Sequence, residues 1–273
     1  MNSRWSKNRG SKNIRPDVPG DREILKLLAR HSPLTNKQFA AATGRSYSAI
    51  VHRTDPLKRE PYELITVHAT QLSQSTLYQH APQAFHLTKK GEAKLRELGI
   101  EPKARSSNHF NHALAQAEAS LSFEIGARML GMEYEVLDTK EIVVNGHKVI
   151  PDLGPIGLGR NGYWRFTFVE VDMGSEPISS ENKHRQQIQQ KFAAYVAFLR
   201  QDLYQTIFGI PNATILFTTT TKGRMESMIA LLNSMTADYV HRFRFFVLPA
   251  PMSGASLPSG WAVTSCGLAP EEN

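Results

Sequence analysis

The sequence predicts an α/β protein in two parts: a small, basic, mostly helical domain, then a mixed α/β layer domain. Three observations carry the prediction. The chain has 273 residues, a length that favours two domains over one. Its charge is divided: residues 1–106 hold 19 Lys and Arg against 9 Asp and Glu, and the remainder 13 against 16. The hydrophobic pattern also changes, from helical spacing within 21–100 to strand-like runs alternating with helical ones beyond Gly131. A basic front half predicts a polyanionic partner for that half.

Residues 1–20 carry Arg4, Lys7, Arg9, Lys12 and Arg15 with almost no apolar residues. They read as a basic flexible arm, able to lie along phosphates or simply to be solvated. In "DREILKLLARH", Ile24, Leu27 and Leu28 share a helical face with Leu25 beside them. "SPLTNKQFAAATG" follows, with Thr35 as the N-cap of a short helix and Gly44 as its end. "RSYSAIVHRTDPL" predicts a third helix that presents Arg45, Ser46, Tyr47, Ser48, His52 and Arg53. "YELITVHAT" and "LYQHAPQAFHLT" have strand composition and are expected to pair as a wing. "LTKKGEAKLRELGI" closes the domain as a helix, and 101–108 is a polar linker.

From His109 a helix is predicted, with Phe110, Leu114, Ala117, Leu121 and Ile125 on one stripe and Gly131 as its stop. Strands are expected at "EIVVN", at "VIPDLGPIGLGRNGYWRFTFVEVDMGSE", at "ATILFTTTT" and at "RFRFFVLPA", with helices over 181–200 and 222–235. The second domain spans 109–250, and 251–273 is a Gly-, Pro- and Ser-punctuated tail. "GLGRNG" fits the G-x-G-x-x-G pattern, but a strand follows it rather than the helix that a dinucleotide site requires. It reads as a loop between two strands.

The acids carry the chemistry. In "FTFVEVD", Phe166, Phe168, Glu170 and Asp172 alternate onto one strand face, and Thr167, Val169 and Val171 onto the other. If Asp152 ends the neighbouring strand, three carboxylates meet. Unpaired, they repel and resist ionisation; a hard divalent cation such as Mg²⁺ relieves both problems. The competing reading is acids at strand ends facing water, and spacing leaves both open. Downstream, Lys183, Gln187, Lys191 and Tyr195 fall at intervals of four on one helical row. Ile188, Phe192, Tyr195, Val196 and Leu199 supply the adjacent apolar stripe.

The order helix, helix–turn–helix, hairpin, then "HLTKKGEAKLRELG" resembles winged-helix DNA-binding domains, whose third helix enters the major groove. The resemblance implies contacts from Arg45, Ser46, Tyr47, Ser48, His52 and Arg53 to double-stranded DNA. "PD" at Pro151–Asp152 and "EVD" at Glu170–Asp172 resemble the PD-(D/E)XK nuclease superfamily. That implies a restriction-endonuclease-like α/β domain with Mg²⁺ or Mn²⁺ on Asp152, Glu170 and Asp172. The family's Lys falls where this chain has Asp172; some members carry it on the next helix, which points to Lys191, with Tyr195 matching a related Q-x-x-x-Y motif. Glu118 matches an extra metal-binding acid of some members, with Glu124 as the weaker choice. The winged helix, "NHFNHALA", "FTFVEVDMGSEPIS" and "KFAAYVAF" together are similar to the replication-relaxation family of plasmids and other mobile elements, over about 21–250. That resemblance implies DNA handling at an origin, as a metal-dependent endonuclease or nickase, or as a non-catalytic relaxosome accessory factor or regulator. It also brings His109 and His112 near the site, and admits a homodimer or relaxosome partners.

Composition excludes other classes. One cysteine, Cys266, rules out an internal disulfide framework and a Cys-rich zinc site. No run is apolar enough to span a membrane, and the polar, basic start lacks the apolar core of a signal peptide. A reduced cytoplasmic setting is the expectation.

Overall fold

The computed structural model describes residues 18–74, 81–102, 109–174, 178 and 188–248. Residues 1–17, most of the linker, Lys183, Gln187, Cys266 and the tail lie outside the described residues; Pro19 and Gly20, expected in the basic arm, instead begin the first helix. The chain forms two compact units that divide between Arg105 and Ser106.

The N-terminal unit runs α1 (Pro19–His31), β1 (Leu34–Thr35), α2 (Asn36–Thr43), α3 (Tyr47–Lys58), β2 (Ile65–Val67), α4 (Ala69–Ser73), β3 (Ala84–Leu87) and α5 (Lys89–Glu97). Ile24, Leu25, Leu27 and Leu28 of α1 are all buried, as their spacing requires. Thr35 caps α2 through a capping box: its Oγ1 accepts from Gln38 N at 3.3 Å, and Gln38 Oε1 accepts from Thr35 N at 2.7 Å. Gly44 ends α2 in the left-handed region, at φ 67°. Ser46 then caps α3.

β2 and β3 pair antiparallel, and β1 adds to the far side of β3 in the order β1-β3-β2. The expected pairing of the two strand-like runs is present, but the first run is shorter than its composition suggests. His68 Nδ1 accepts from Thr70 N at 3.3 Å and starts α4 where a strand was expected to continue. The phrase "LTKKG" has a steric cause. Thr88 caps α5 by accepting from Gly91 N at 3.0 Å, and its own N–H donates to Leu64 O at 3.0 Å. A Cβ on Gly91 would lie 2.0 Å from that same Leu64 oxygen. Only glycine lets the helix start this close to β2.

The C-terminal unit carries a five-stranded sheet of order β10-β9-β8-β7-β4. Its elements are α6 (Phe110–Met129), β4 (Glu133–Val136), β5 (Ile142–Val144), β6 (His147–Val149), β7 (Leu153–Arg160), β8 (Tyr163–Val171), α7 (Ile188–Arg200), α8 (Leu203–Phe208), β9 (Thr214–Thr219), α9 (Lys222–Met235), a short 3₁₀ turn (Val240–Arg242) and β10 (Phe243–Val247). β7 pairs antiparallel with both β4 and β8, while β8, β9 and β10 are mutually parallel. The strand alternation holds through the sheet. Phe166 and Phe168 pack with Phe192, Tyr195, Phe198 and Phe217 on the α7 face, while Val169 and Val171 pack with Ala115, Ala119 and Phe123 of α6 on the other.

α6 differs from its expected stripe. Leu114, Ala117, Leu121 and Ile125 are buried, but Ala115, Ala119, Phe123 and Ala127 form the face against the sheet. "GLGRNG" is the β7–β8 hairpin, turned by Asn161 and Gly162 at φ 53° and 80°, the two positive values a type I′ turn needs. Gly157 and Gly159 leave room for the rings of Phe166 and Trp164, which a Cβ would approach to 2.7 and 2.8 Å. These glycines serve ring packing across the hairpin. β5 and β6 form a second Asn-Gly hairpin, turned at Asn145–Gly146, which packs on α7. No helix among the described residues is long and apolar enough to cross a membrane.

Candidate functional site

Asp152 stands one residue before β7, and Glu170 lies near the end of β8. Because the two strands are antiparallel, with Leu153 opposite Val169, the start of one meets the end of the other. This differs from the expected geometry, in which Asp152 ends its strand, yet it still brings the two carboxylates together. Their proximity registers in Glu170, whose proton affinity the charge of Asp152 raises.

Each acid has a defined setting. Asp152 Oδ2 accepts from Val171 N at 2.8 Å, and Oδ1 accepts from Gln116 Nε2 at 2.9 Å. His112 Nε2 lies 2.9 Å from Val171 O and 3.4 Å from Asp152 Oδ1. Burial pushes the Asp152 carboxyl up, but His112, Lys191 and the Val171 amide outweigh it and hold the group below the usual aspartate value. For His112 burial pulls down, while Asp152 and the Val171 carbonyl more than offset it, so the imidazole titrates above its ordinary value.

Glu170 is 1% exposed. Tyr195 OH donates to its Oε1 at 2.5 Å, and Lys191 Nζ lies 2.9 Å from Oε2. Burial raises the Glu170 carboxyl to about 7, against the opposing charge of Lys191 and the Tyr195 hydrogen bond. Burial, reinforced by the Glu170 charge, drives the Tyr195 phenol well above its usual range, so Tyr195 stays a donor at all moderate pH. Lys191 thus serves two acids: it pairs with Glu170 and its charge also stabilises the Asp152 carboxylate.

Asp172 and Glu118 have different settings from that pair. Asp172 forms a two-pronged ion pair with Arg224 of α9: Nη2 donates to Oδ1 at 2.8 Å, and Nε donates to Oδ2. Thr219 Oγ1 donates to Oδ2 at 2.8 Å, and Gly174 N to Oδ1 at 3.1 Å. Glu118 is buried on α6, and desolvation alone raises it to about 7. It is two residues from Gln116, about 200° around the helix, and so turns away from Asp152. Gln116, which contacts Asp152, and Arg224 and Thr219, which contact Asp172, are neighbours that the sequence reading did not single out.

Glu118 gives a pH prediction. Its folded pKa exceeds the ordinary value of 4.5, so between about pH 4.5 and 7 the folded state binds more protons than the unfolded one, and stability falls as pH rises through that window. Glu118→Gln removes this loss. The variant should match its parent near pH 4.5 and exceed it at pH 8 by up to about 3 kcal/mol, read as denaturant midpoints at both pH values in the absence of divalent cations. A difference equal at both pH values would rule out a raised Glu118.

No three His, Cys, Asp or Glu side chains among the described residues gather closely enough to hold a cation unaided. Two adjoining carboxylates do fit Mg²⁺, which keeps several waters and commonly takes one or two protein carboxylates with phosphate oxygens. Asp152 Oδ2 and Glu170 Oε1 each have one close donor, Val171 N and Tyr195 OH, and so keep acceptor capacity.

In the N-terminal unit, Arg45, Ser46, Tyr47, Ser48 and His52 are exposed at the start and along one side of α3. Arg45 has Glu23 only at 3.8 Å. Arg53 is differently engaged: its Nη1 donates to buried Asp21 at 2.8 Å, and its guanidinium covers Gly20. It joins α3 to α1.

A family model described as replication-relaxation matches residues 25–211, more than half of the chain. The match reaches from α1 past α8, across both units and through Asp152, Glu170, Lys191 and Tyr195; Arg224 lies beyond it. No curated protein and no solved structure matches the chain.

Proposed function

The chain belongs to the replication-relaxation family, and we propose that it acts on double-stranded DNA of a mobile element as a metal-dependent endonuclease or nickase. One observation carries this reading. Lys191, on a helix rather than the strand, stands beside Glu170 at 2.9 Å and acts on Asp152 as well. It supplies from α7 the cation that Asp172 denies to β8. Asp152 and Glu170 would hold Mg²⁺ or Mn²⁺, which supplies water activation and charge neutralisation at a phosphodiester when bound. Tyr195 fixes one Glu170 oxygen. Lys191 offsets negative charge that develops on the phosphate.

The N-terminal unit supports the delivery half of the proposal. Its order of three helices, a small antiparallel sheet and a closing helix is compatible with a winged helix. The exposed start of α3, with Arg45, Ser46, Tyr47, Ser48 and His52, would face the DNA groove. Arg53 has a positioning role in that arrangement. The basic excess of residues 1–106 would make the affinity fall steeply with salt. A cytoplasmic setting and a homodimer or relaxosome partners are part of the same proposal.

A second reading has its own observation. The three acids at β7 and β8 already have compensating cations: Lys191 and, when protonated, His112 for Asp152, Lys191 for Glu170, and Arg224 for Asp172. That balance suits a DNA-binding accessory factor whose nuclease-like unit is a scaffold. Cleavage of supercoiled plasmid with Mg²⁺ or Mn²⁺ separates the two. Cleavage by the parent and by neither Asp152→Ala nor Glu170→Ala is the expected result. DNA binding without cleavage, lost in Arg45→Ala/Tyr47→Ala, would favour the scaffold.

A further inference from the structure

We propose that Gln116 and His112 are positioning residues for Asp152; the inference rests on the nuclease reading above. Asp152 precedes β7, so no strand ladder fixes its side chain. Its carboxylate is held instead by a closed set of contacts. Val171 N donates to Oδ2 at 2.8 Å and Gln116 Nε2 donates to Oδ1 at 2.9 Å. His112 Nε2 reaches both Oδ1, at 3.4 Å, and Val171 O, at 2.9 Å. One residue, Val171, therefore meets Asp152 through its N–H and His112 through its carbonyl.

Gln116 and His112 are four residues apart and share one row of α6. Ala115 and Ala119 on the same helix pack against the sheet, so small side chains bring that row close enough to reach Asp152. Gln116 is 5% exposed. A neutral amide at this position orients the carboxylate without adding a third negative charge or competing as a ligand. Glu170 is fixed separately, by Tyr195 and Lys191. A cation shared by the two carboxylates needs both orientations set beforehand, and partners of this kind change metal affinity by about 10–100-fold.

The test is Mn²⁺ binding by the full chain, followed by electron paramagnetic resonance of the free ion, beside plasmid cleavage at varied Mn²⁺. Gln116→Met, which keeps length and helix propensity, should weaken binding about 10–100-fold while cleavage at saturating Mn²⁺ returns close to the parent rate. His112→Leu should weaken binding in the same sense. His112→Gln, which keeps a donor at a similar reach, should bind close to the parent. Asp152→Asn marks the site by losing binding. The His112 pair carries the test if Gln116→Met does not fold. Parent-like Mn²⁺ affinity in both Gln116→Met and His112→Leu would overturn the positioning role alone. A parent that binds no Mn²⁺ overturns it together with the nuclease reading.

Discussion

Arg224→Met is expected to destabilise the C-terminal unit by about 3–5 kcal/mol, a fall of roughly 6–20 °C in Tm for a domain of this size. The reason is what it leaves behind. Asp172 is 4% exposed, and both of its oxygens face the Arg224 guanidinium. Thr219 Oγ1 and Gly174 N would remain as donors, but neither carries charge. Removing one partner of a buried pair strands the other, whereas removing both is far milder. Asp172→Asn/Arg224→Met should therefore recover most of the lost stability. The double variant also decides the role of Asp172. If it folds and cleaves like the parent, Asp172 serves to fasten β8, β9 and α9 together. If it is stable and inactive, Asp172 belongs to the reacting site.

This pairing explains how far the site was legible in the sequence. Alternation placed Phe166, Phe168 and Glu170 on one face correctly, because β8 is regular through Val171. It grouped Asp172 with them one residue past the strand end, where Asp172 N still donates to Thr218 O at 2.8 Å. The carboxylate meets Thr219 there, on the Ile215 and Phe217 side of β9, which packs with Phe168, α7 and α9. What alternation does not give is its partner on that face, Arg224 of α9. Nothing local could have named Arg224, which is 52 positions away. Gln116 was within reach of helical spacing from His112, but a lone Gln on a buried helix carries no chemical signal until Asp152 is seen beside it. The two caps read from the sequence, Thr35 and Gly44, are local and act within three residues; Ser46 and Thr88 cap in the same local way, although the sequence reading did not name them as caps. The β5–β6 hairpin carried an equally local signal in Asn145–Gly146, although the sequence reading took only "EIVVN" there as a strand. Gly91 shows the limit of that locality. Its place in "LTKKG" is recognisable, but its cause is the Leu64 carbonyl, just before β2.

Lys191→Met is the change with the largest expected effect on activity: cleavage should fall by about 10²–10³-fold with only a modest loss of stability at pH 6. The two readouts part because Glu170 can take up a proton. Burial raises its carboxyl to about 7 even with Lys191 present, and Lys191 acts to lower it. Without that charge Glu170 titrates higher still. Below that pH it stays neutral in the variant, and little is lost by folding around a carboxylic acid. As pH rises, the parent keeps an ion pair while the variant must either bury an unpaired carboxylate or hold a proton against the solvent. The stability gap between parent and variant should thus widen from pH 6 to pH 9. Cleavage behaves differently, since the absent cation affects both the charge at the phosphate and the ionisation of a proposed metal ligand. Rates would stay low at pH 6 and recover only in part at pH 9. Denaturant midpoints and plasmid cleavage on the same preparations at pH 6, 7.5 and 9 give both curves. A stability gap that does not depend on pH would remove the Lys191–Glu170 pair from the account. Parent-like cleavage at all three values would remove Lys191 from the catalytic proposal and turn the search to Arg224, on Asp172, and His112, on Asp152.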